Sequence, residues 1–291
     1  MSEAASEGPA SDQSTVAEHP TLGAIRKRVK VADEGAHRAR AALEAAERER
    51  AFWEVLIAHA ARGEMGSVLL LIDRNREYLT ALEARHDPAW QELASLRRDA
   101  YEHAVSTAKT LGRTFPEAAR RGGLTIDPSS RHPRYTFRNG FIRLEFDEKR
   151  LVARLQTREG DAHEHGLDLE LLIRTLLEEV ARLFDRDFKP NAFLRSLYTA
   201  YSAVLRAEGL PEGTEIPIRR VTHRLGKNLN RFSGDEFNVD LARAIQSGHT
   251  MIDGRQLHLN HTRNTRQGML LHGLEQGGYV GFVSFKREEP R

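Results

Sequence analysis

Apolar positions recur along the first third of the chain at spacings of three and four, and the pattern stops and restarts at glycines. Leu22 and Ile25, then Val29, Ala32, Ala36, Ala39, Leu43 and Ala46, and finally Phe52, Val55 and Leu56, predict one long helix from Leu22 to about Arg62. Gly35 inside it costs about 1 kcal/mol relative to alanine, which so long a run tolerates. The stripe is narrow and mostly alanine through its first half. Such a helix is not stable alone, so it is expected to lie against the helices between Ser67 and Leu111 or against a second chain. Gly63 to Gly66 breaks the run. A second helix from Ser67 to about Arg85 carries Val68, Leu71, Ile72, Tyr78, Leu79 and Leu82. Asp87 and Pro88 open a third, which continues through Trp90, Leu93, Leu96, Tyr101, Ala104 and Val105 to about Leu111. A short helix led by Thr114 and Pro116 ends at Gly122 and Gly123. Residues 20–123 thus read as a hairpin of long helices or a coiled-coil arm. Residues 1–19 carry no aliphatic periodicity and read as a disordered tail.

The period then changes from helical to alternating. Tyr135–Phe137, Phe141–Phe146 and Leu151–Thr157 read as three strands separated by Arg138-Asn139-Gly140 and by Asp147-Glu148-Lys149-Arg150, and Asn-Gly is a strong hairpin signal. Ile142, Leu144 and Phe146 point one way while Arg143 and Glu145 point the other, as in a half-buried antiparallel meander. Two helices should cover it, Leu167 to about Phe184 and Pro190 to about Ala207. The fold class is therefore α+β and mainly helical, with residues 124–210 as an α+β core.

Residues 211–291 return to helix, helix, hairpin. Ser233 followed by Glu236 is a capping-box pattern that starts a helix at Gly234, with Phe237, Leu241, Ala244 and Ile245 on one face and an end near Gly248. Leu257 and Leu259 alternate with His258 and Asn260, and Val280, Phe282 and Val283 form a second extended run. That order makes the C-terminal unit winged-helix-like. Its basic and polar side chains crowd two places, Arg219, Arg220, Arg224, Lys227 and Arg231 on the first helical segment and His258, Asn260, Arg263 and Arg266 on the hairpin. Such clustering is the footprint sought in a protein that binds the DNA or RNA backbone. The same residues are also compatible with a solvated face or a protein-docking surface.

Composition adds exclusions rather than a direction. In 291 residues there are 30% charged residues, a formal net charge of +2 and no cysteine, so disulfides, thiolate metal sites and cysteine nucleophiles are excluded. The longest aliphatic run, Val68 to Ile72, is too short to cross a bilayer, and the acidic start is unlike a secretory leader, so a cytoplasmic protein without a membrane segment is expected. Arginine far exceeds lysine, a bias associated with high-GC bacteria.

Three constellations carry possible chemistry. Asp127, Glu145, Asp147 and Lys149 stand in nearly the order in which a metal-dependent nuclease of the restriction-enzyme class holds Mg²⁺, although Asp147 to Lys149 also read as an exposed turn. Asp161, His163, Glu164 and His165 are rich in ligand types but lie in what reads as a glycine-bounded loop. His258, Asn260, His261, Arg263 and Arg266 offer phosphate contacts or a general acid. No nucleotide-binding glycine loop occurs, and neither a cofactor nor a metal nor a catalytic group is assigned. The reading favoured by these features is a non-enzymatic, nucleic-acid-associated accessory or regulatory protein that self-associates or binds a partner protein through residues 20–111. Its rivals are a protein-interaction subunit of a bacterial DNA-processing or anti-phage complex without DNA contact, and the metal-dependent nuclease.

Overall fold

Helix α1 (Pro20–Ala61) runs for 42 residues without a break, as the spacing predicts. The computed structural model describes residues 20–228 and 232–287, and the chain divides into two units, Met1–Ala58 and His59–Arg291. The expected disordered tail lies outside the described residues. Within the first unit the alanine stripe is open. Every position from Leu22 to Ala51 is exposed except half-buried Gly35, and Leu22, Ile25, Val29 and Leu43 are 46%, 51%, 55% and 60% exposed. The stripe read as needing cover is thus open in the single chain, and its alanines add little area to hold a neighbour. Burial begins only at Phe52 and Leu56, with Phe52 edge-on to Trp53 at 5.3 Å.

The second unit is mixed. Helices α2 (Met65–Arg74), α3 (Arg76–Ala84), α4 (Ala89–Ala108) and α5 (Leu111–Arg121) come first, with α2 packed on α4. The single helix expected from Ser67 to Arg85 is two, because Asn75 turns its side-chain amide back onto the Leu71 carbonyl at 2.8 Å and leaves helical geometry (φ −107°, ψ 33°). An antiparallel meander follows: β1 (Arg134–Phe137), β2 (Ile142–Asp147), β3 (Val152–Thr157) and β4 (His163–Gly166). Arg138, Asn139 and Gly140 all take left-handed backbone (φ 54°, 56° and 74°), which makes the first reversal tight. Tyr135, Leu144 and Leu155 are aligned across β1, β2 and β3 and buried, and Phe115 of α5 packs on Tyr135 and Phe146 at 4.7 and 5.1 Å. Helix α6 (Leu169–Val180) runs into a π-helical turn at Ala181–Asp185. Where α2 begins, Gly66 and Gly166 touch backbone to backbone, and Asp168 binds the amides of Gly66 and Ser67.

The remaining elements are α7 (Pro190–Glu208), β5 (Ile216–Pro217), α8 (Ile218–Asn228), α9 (Gly234–Gln246), β6 (Met251–Ile252), β7 (Arg255–Thr262) and β8 (Tyr279–Arg287). Their sheet is antiparallel in the order β5-β8-β7-β6. Helix α7, expected as cover for the meander, puts Leu194, Leu197, Tyr201, Val204 and Leu205 into one core with Val221, Phe237, Leu241 and Phe285. Tyr201 also donates to the Thr214 carbonyl at 2.8 Å, which ties α7 to the approach of β5. Among the described residues no helix is long and apolar enough to cross a membrane.

Candidate nucleic-acid interface

The two helices of the C-terminal unit behave differently. Helix α9 starts where its cap predicts, with the Ser233 hydroxyl accepting from the Glu236 amide at 3.3 Å. The other half of the capping box is not made, because the Glu236 carboxylate pairs with Arg182 at 2.7 Å. Asp235, Phe237, Asn238, Val239, Asp240, Leu241, Ala242 and Ala244 are all buried, so α9 is enclosed on nearly every side. Its polar groups face the protein. Asp235 accepts from the Thr157 hydroxyl at 2.5 Å and from the Glu159 amide at 2.8 Å, at the exit of β3. Asp240 meets Arg186 at 2.6 Å, and burial pushes its carboxyl above the ordinary carboxylate range despite that cation. Asn238 donates to the Leu270 carbonyl at 2.9 Å and accepts from the His272 amide at 3.0 Å, pinning the segment between β7 and β8. No face of α9 is left to enter a groove.

Helix α8 buries Ile218, Val221 and Leu225 and turns its cations outward, but two of them are already neutralised. Arg219 forks onto Glu159 at 2.5 Å and donates to the Gly268 carbonyl at 2.9 Å, joining α8 to the β7–β8 connection. Arg220 pairs with Glu208 at the end of α7. Arg224 and Lys227 are exposed, with no ion pair or side-chain hydrogen bond to another described residue. Arg231 lies outside the described residues. On the hairpin, Asn260 donates to Glu215 at 2.5 Å, and His258 is half-buried opposite Ser284. Arg263 and Arg266 are exposed, and their side chains too have no such partner among the described residues. Of the nine positions assigned to phosphate contact, Arg224, Lys227, Arg263 and Arg266 therefore keep charge that no described residue compensates.

The other constellations do not converge. Asp127 and Glu145 line one open cavity of about 810 Å³ on the outer face of the meander, but Asp147 and Lys149 do not line it. Asp127 is occupied by the amides of Asn139 and Gly140 at 3.1 and 2.7 Å, so it supports the first hairpin. Glu145 pairs with Arg134 at 3.0 Å, and Asp147 accepts from the Arg150 amide at 3.0 Å as a turn acid does. Lys149 instead lines a cleft of about 480 Å³ with Arg74, Arg76, Arg97 and Arg150, which share Asp73 and Glu164. His163 to His165 lie on β4, not in a loop. Strand alternation sends Glu164 to the face opposite the histidines, where it is held by Arg150 and Arg154 at 2.6 and 3.3 Å. Hydrogen bonding to Arg150 keeps the Glu164 carboxyl below its ordinary range, whereas burial lowers His165. Among the described residues no three His, Cys, Asp or Glu side chains stand close enough to hold a metal ion.

The residues missed in sequence are anions. Glu159, Glu208 and Glu212 lie upstream of the basic segments, yet they take up Arg219, Arg220 and Arg255. Charge counted along the C-terminal stretch could not reveal these pairings, because Glu159 and Glu208 precede it and Glu212 meets Arg255 43 residues further on. No protein-family model matches the chain, and no curated protein or solved structure matches it either.

Proposed function

We propose that this chain is an accessory assembly protein that docks onto another polypeptide through α1 and carries a C-terminal unit built on a winged-helix plan. The observation that carries the reading is the open stripe of α1, with Leu22, Ile25, Val29 and Leu43 about half exposed along an uninterrupted helix. A helix of this kind gains stability when a partner covers it. The order α7-β5-α8-α9-β7-β8 and the sheet order β5-β8-β7 support the winged-helix plan. The burial of α9 favours its use as a structural or protein-docking unit rather than as a reader of the major groove. The test is a photo-crosslinking residue at Leu43 in the source organism. A discrete adduct that disappears when Ile25 and Val29 are changed to Asp is expected, and absence of any adduct would remove the reading.

A second reading, nucleic-acid backbone contact, is favoured by one observation: Arg224, Lys227, Arg263 and Arg266 are exposed and uncompensated among the described residues. Four phosphate contacts on duplex DNA correspond to a slope of log K against log salt of about −3.6. Arg224→Glu with Lys227→Glu should roughly halve that slope in fluorescence anisotropy. Identical binding by both proteins, or none at low salt, would exclude it.

A further inference from the structure

The α1 stripe has a register, and its flanking charges select among the ways of covering it. From Leu22 to Ala46 the apolar positions alternate strictly by three and four: Leu22, Ile25, Val29, Ala32, Ala36, Ala39, Leu43, Ala46. This is the 3.5-residue repeat of a coiled-coil seam, with Leu22, Val29, Ala36 and Leu43 at one core position and Ile25, Ala32, Ala39 and Ala46 at the other. All eight are exposed in the single chain. The positions beside the seam are Arg26, Asp33, Arg40 and Glu47 on one side and Arg28, Gly35, Ala42 and Glu49 on the other. Basic charge thus starts the seam and acidic charge ends it.

We infer that α1 pairs antiparallel with α1 of a second copy of this chain, with Val29 against Ala46, Ala32 against Leu43 and Ala36 against Ala39. The inference rests on the reading of α1 as a docking helix and names its partner. In this register Val29 and Leu43 each face an alanine, so the helices can approach closely there, while Ile25 falls against Arg50 and Leu22 against Trp53 at the ends of the overlap. The flanking positions become Arg26 with Glu47, Asp33 with Arg40 and Arg28 with Glu49, each occurring twice by symmetry and each of opposite sign. Sliding one copy by a heptad brings like charges together: Arg26 meets Arg40 and Asp33 meets its own copy in one direction, while Asp33 meets Glu47 in the other. A parallel pair sets alanine against alanine at four layers and places Glu49 beside Glu54. Flanking charges of this kind decide orientation and register in coiled coils. Of these arrangements the first alone is free of like-charge contacts; a slide of two heptads also avoids them, but it shortens the overlap and keeps a single kind of ion pair, Arg26 with Asp33, in place of three.

The chain has no cysteine, so single cysteines report the register directly. Val29→Cys and Ala46→Cys are prepared reduced in the full-length protein, and each variant alone and their equimolar mixture are then oxidised. The antiparallel pair puts the thiol introduced at position 29 of one copy against the thiol introduced at position 46 of the other, whereas two copies of position 29 are about 25 Å apart at 1.5 Å per residue. The expected result is disulfide-linked dimer from the mixture and none from either variant alone. Light scattering of the wild type should give twice 32.9 kDa at high concentration. Arg26→Glu with Arg28→Glu should weaken the dimer at least tenfold, and adding Glu47→Arg with Glu49→Arg in the same chain should restore it. Cross-linking by each variant alone would establish a parallel pair and overturn the inference, as would a monomer at every concentration. In the cellular cross-link at Leu43, an adduct whose added mass differs from that of this chain would overturn the second copy while leaving the docking reading intact. No adduct would remove both.

Discussion

Replacing Asp168 by Ala should be among the most destabilising single changes in the second unit. Asp168 precedes α6, and its carboxylate accepts from the Gly66 amide at 2.8 Å, the Ser67 amide at 2.7 Å and the Ser67 hydroxyl at 2.6 Å. The residue is 8% exposed, so no water replaces those contacts cheaply. The amides belong to the first turn of α2, where unsatisfied N–H groups and the helix dipole both favour an anion. A hydrogen bond to a charged acceptor contributes about 1.5–3 kcal/mol, and a buried donor left empty costs about 1–3 kcal/mol. The three contacts share one carboxylate and are not additive, so the loss is about 3–5 kcal/mol. For a unit of this size that lowers Tm by about 10 °C. Urea unfolding followed by far-UV circular dichroism measures the change, with Ser67→Ala as a milder companion expected to cost about 1 kcal/mol. A loss below about 1 kcal/mol for Asp168→Ala would show that α2 is held to α6 by apolar packing and that this joint contributes little.

Gly166→Ala should be at least as damaging, because a Cβ there would stand 2.1 Å from the Gly66 carbonyl carbon and 2.2 Å from the Ser67 nitrogen. Both obstacles are backbone, so β4 and α2 must separate at a cost of about 3 kcal/mol or more, and a wild-type melting temperature would contradict the close approach. Glu64 makes stability pH-dependent: hydrogen bonding to Arg62, together with His59 and Arg174, holds its carboxyl down to about 2 from the ordinary 4.5. A depressed carboxylate stabilises fully above 4.5 and loses that contribution as pH falls from 4.5 to 2. The difference corresponds to about 3 kcal/mol, reduced to about 2 because Arg62 and Arg174 are half exposed. The gap in urea midpoint between wild type and Glu64→Gln should therefore narrow from pH 7 to pH 3, and a constant gap would refute the assignment.

Local signals were legible where one residue decides the geometry. Asn139-Gly140 set the β1–β2 reversal, and Ser233 set the start of α9, because turn and cap chemistry act over three or four residues. Strand β4 was hidden because His163-Glu164-His165 has no apolar alternation and owes its extended form to pairing with β3. The break at Asn75 was hidden by the apolar periodicity on either side of it. Helix α7 was recognisable as a helix, but its stripe does not say which layer it covers, and that was decided by Phe237, Val221 and Phe285 far along the chain. The basic face of α8 was visible residue by residue. What it lacked in sequence was the list of acids folded against it.

That last gap separates a patterned helix from a working surface. An arginine contributes to phosphate binding only if its charge is not already matched nearby, since releasing a held partner returns the cost of the broken pair. Arg219 would have to leave Glu159, whose side chain is only 9% exposed, and give up the Gly268 carbonyl that holds the β7–β8 connection. Arg220 would have to leave Glu208. Both are better described as internal fasteners of the C-terminal unit. Helix α1 is the opposite case. Among the described residues its seam from Leu22 to Ala46 stays exposed, and its flanking charges, whatever they touch along one helix, begin basic at Arg26 and Arg28 and end acidic at Glu47 and Glu49, a distribution that the proposed antiparallel pair uses. Among the described residues the open apolar surface therefore lies mainly on α1, whereas most of α9 is buried.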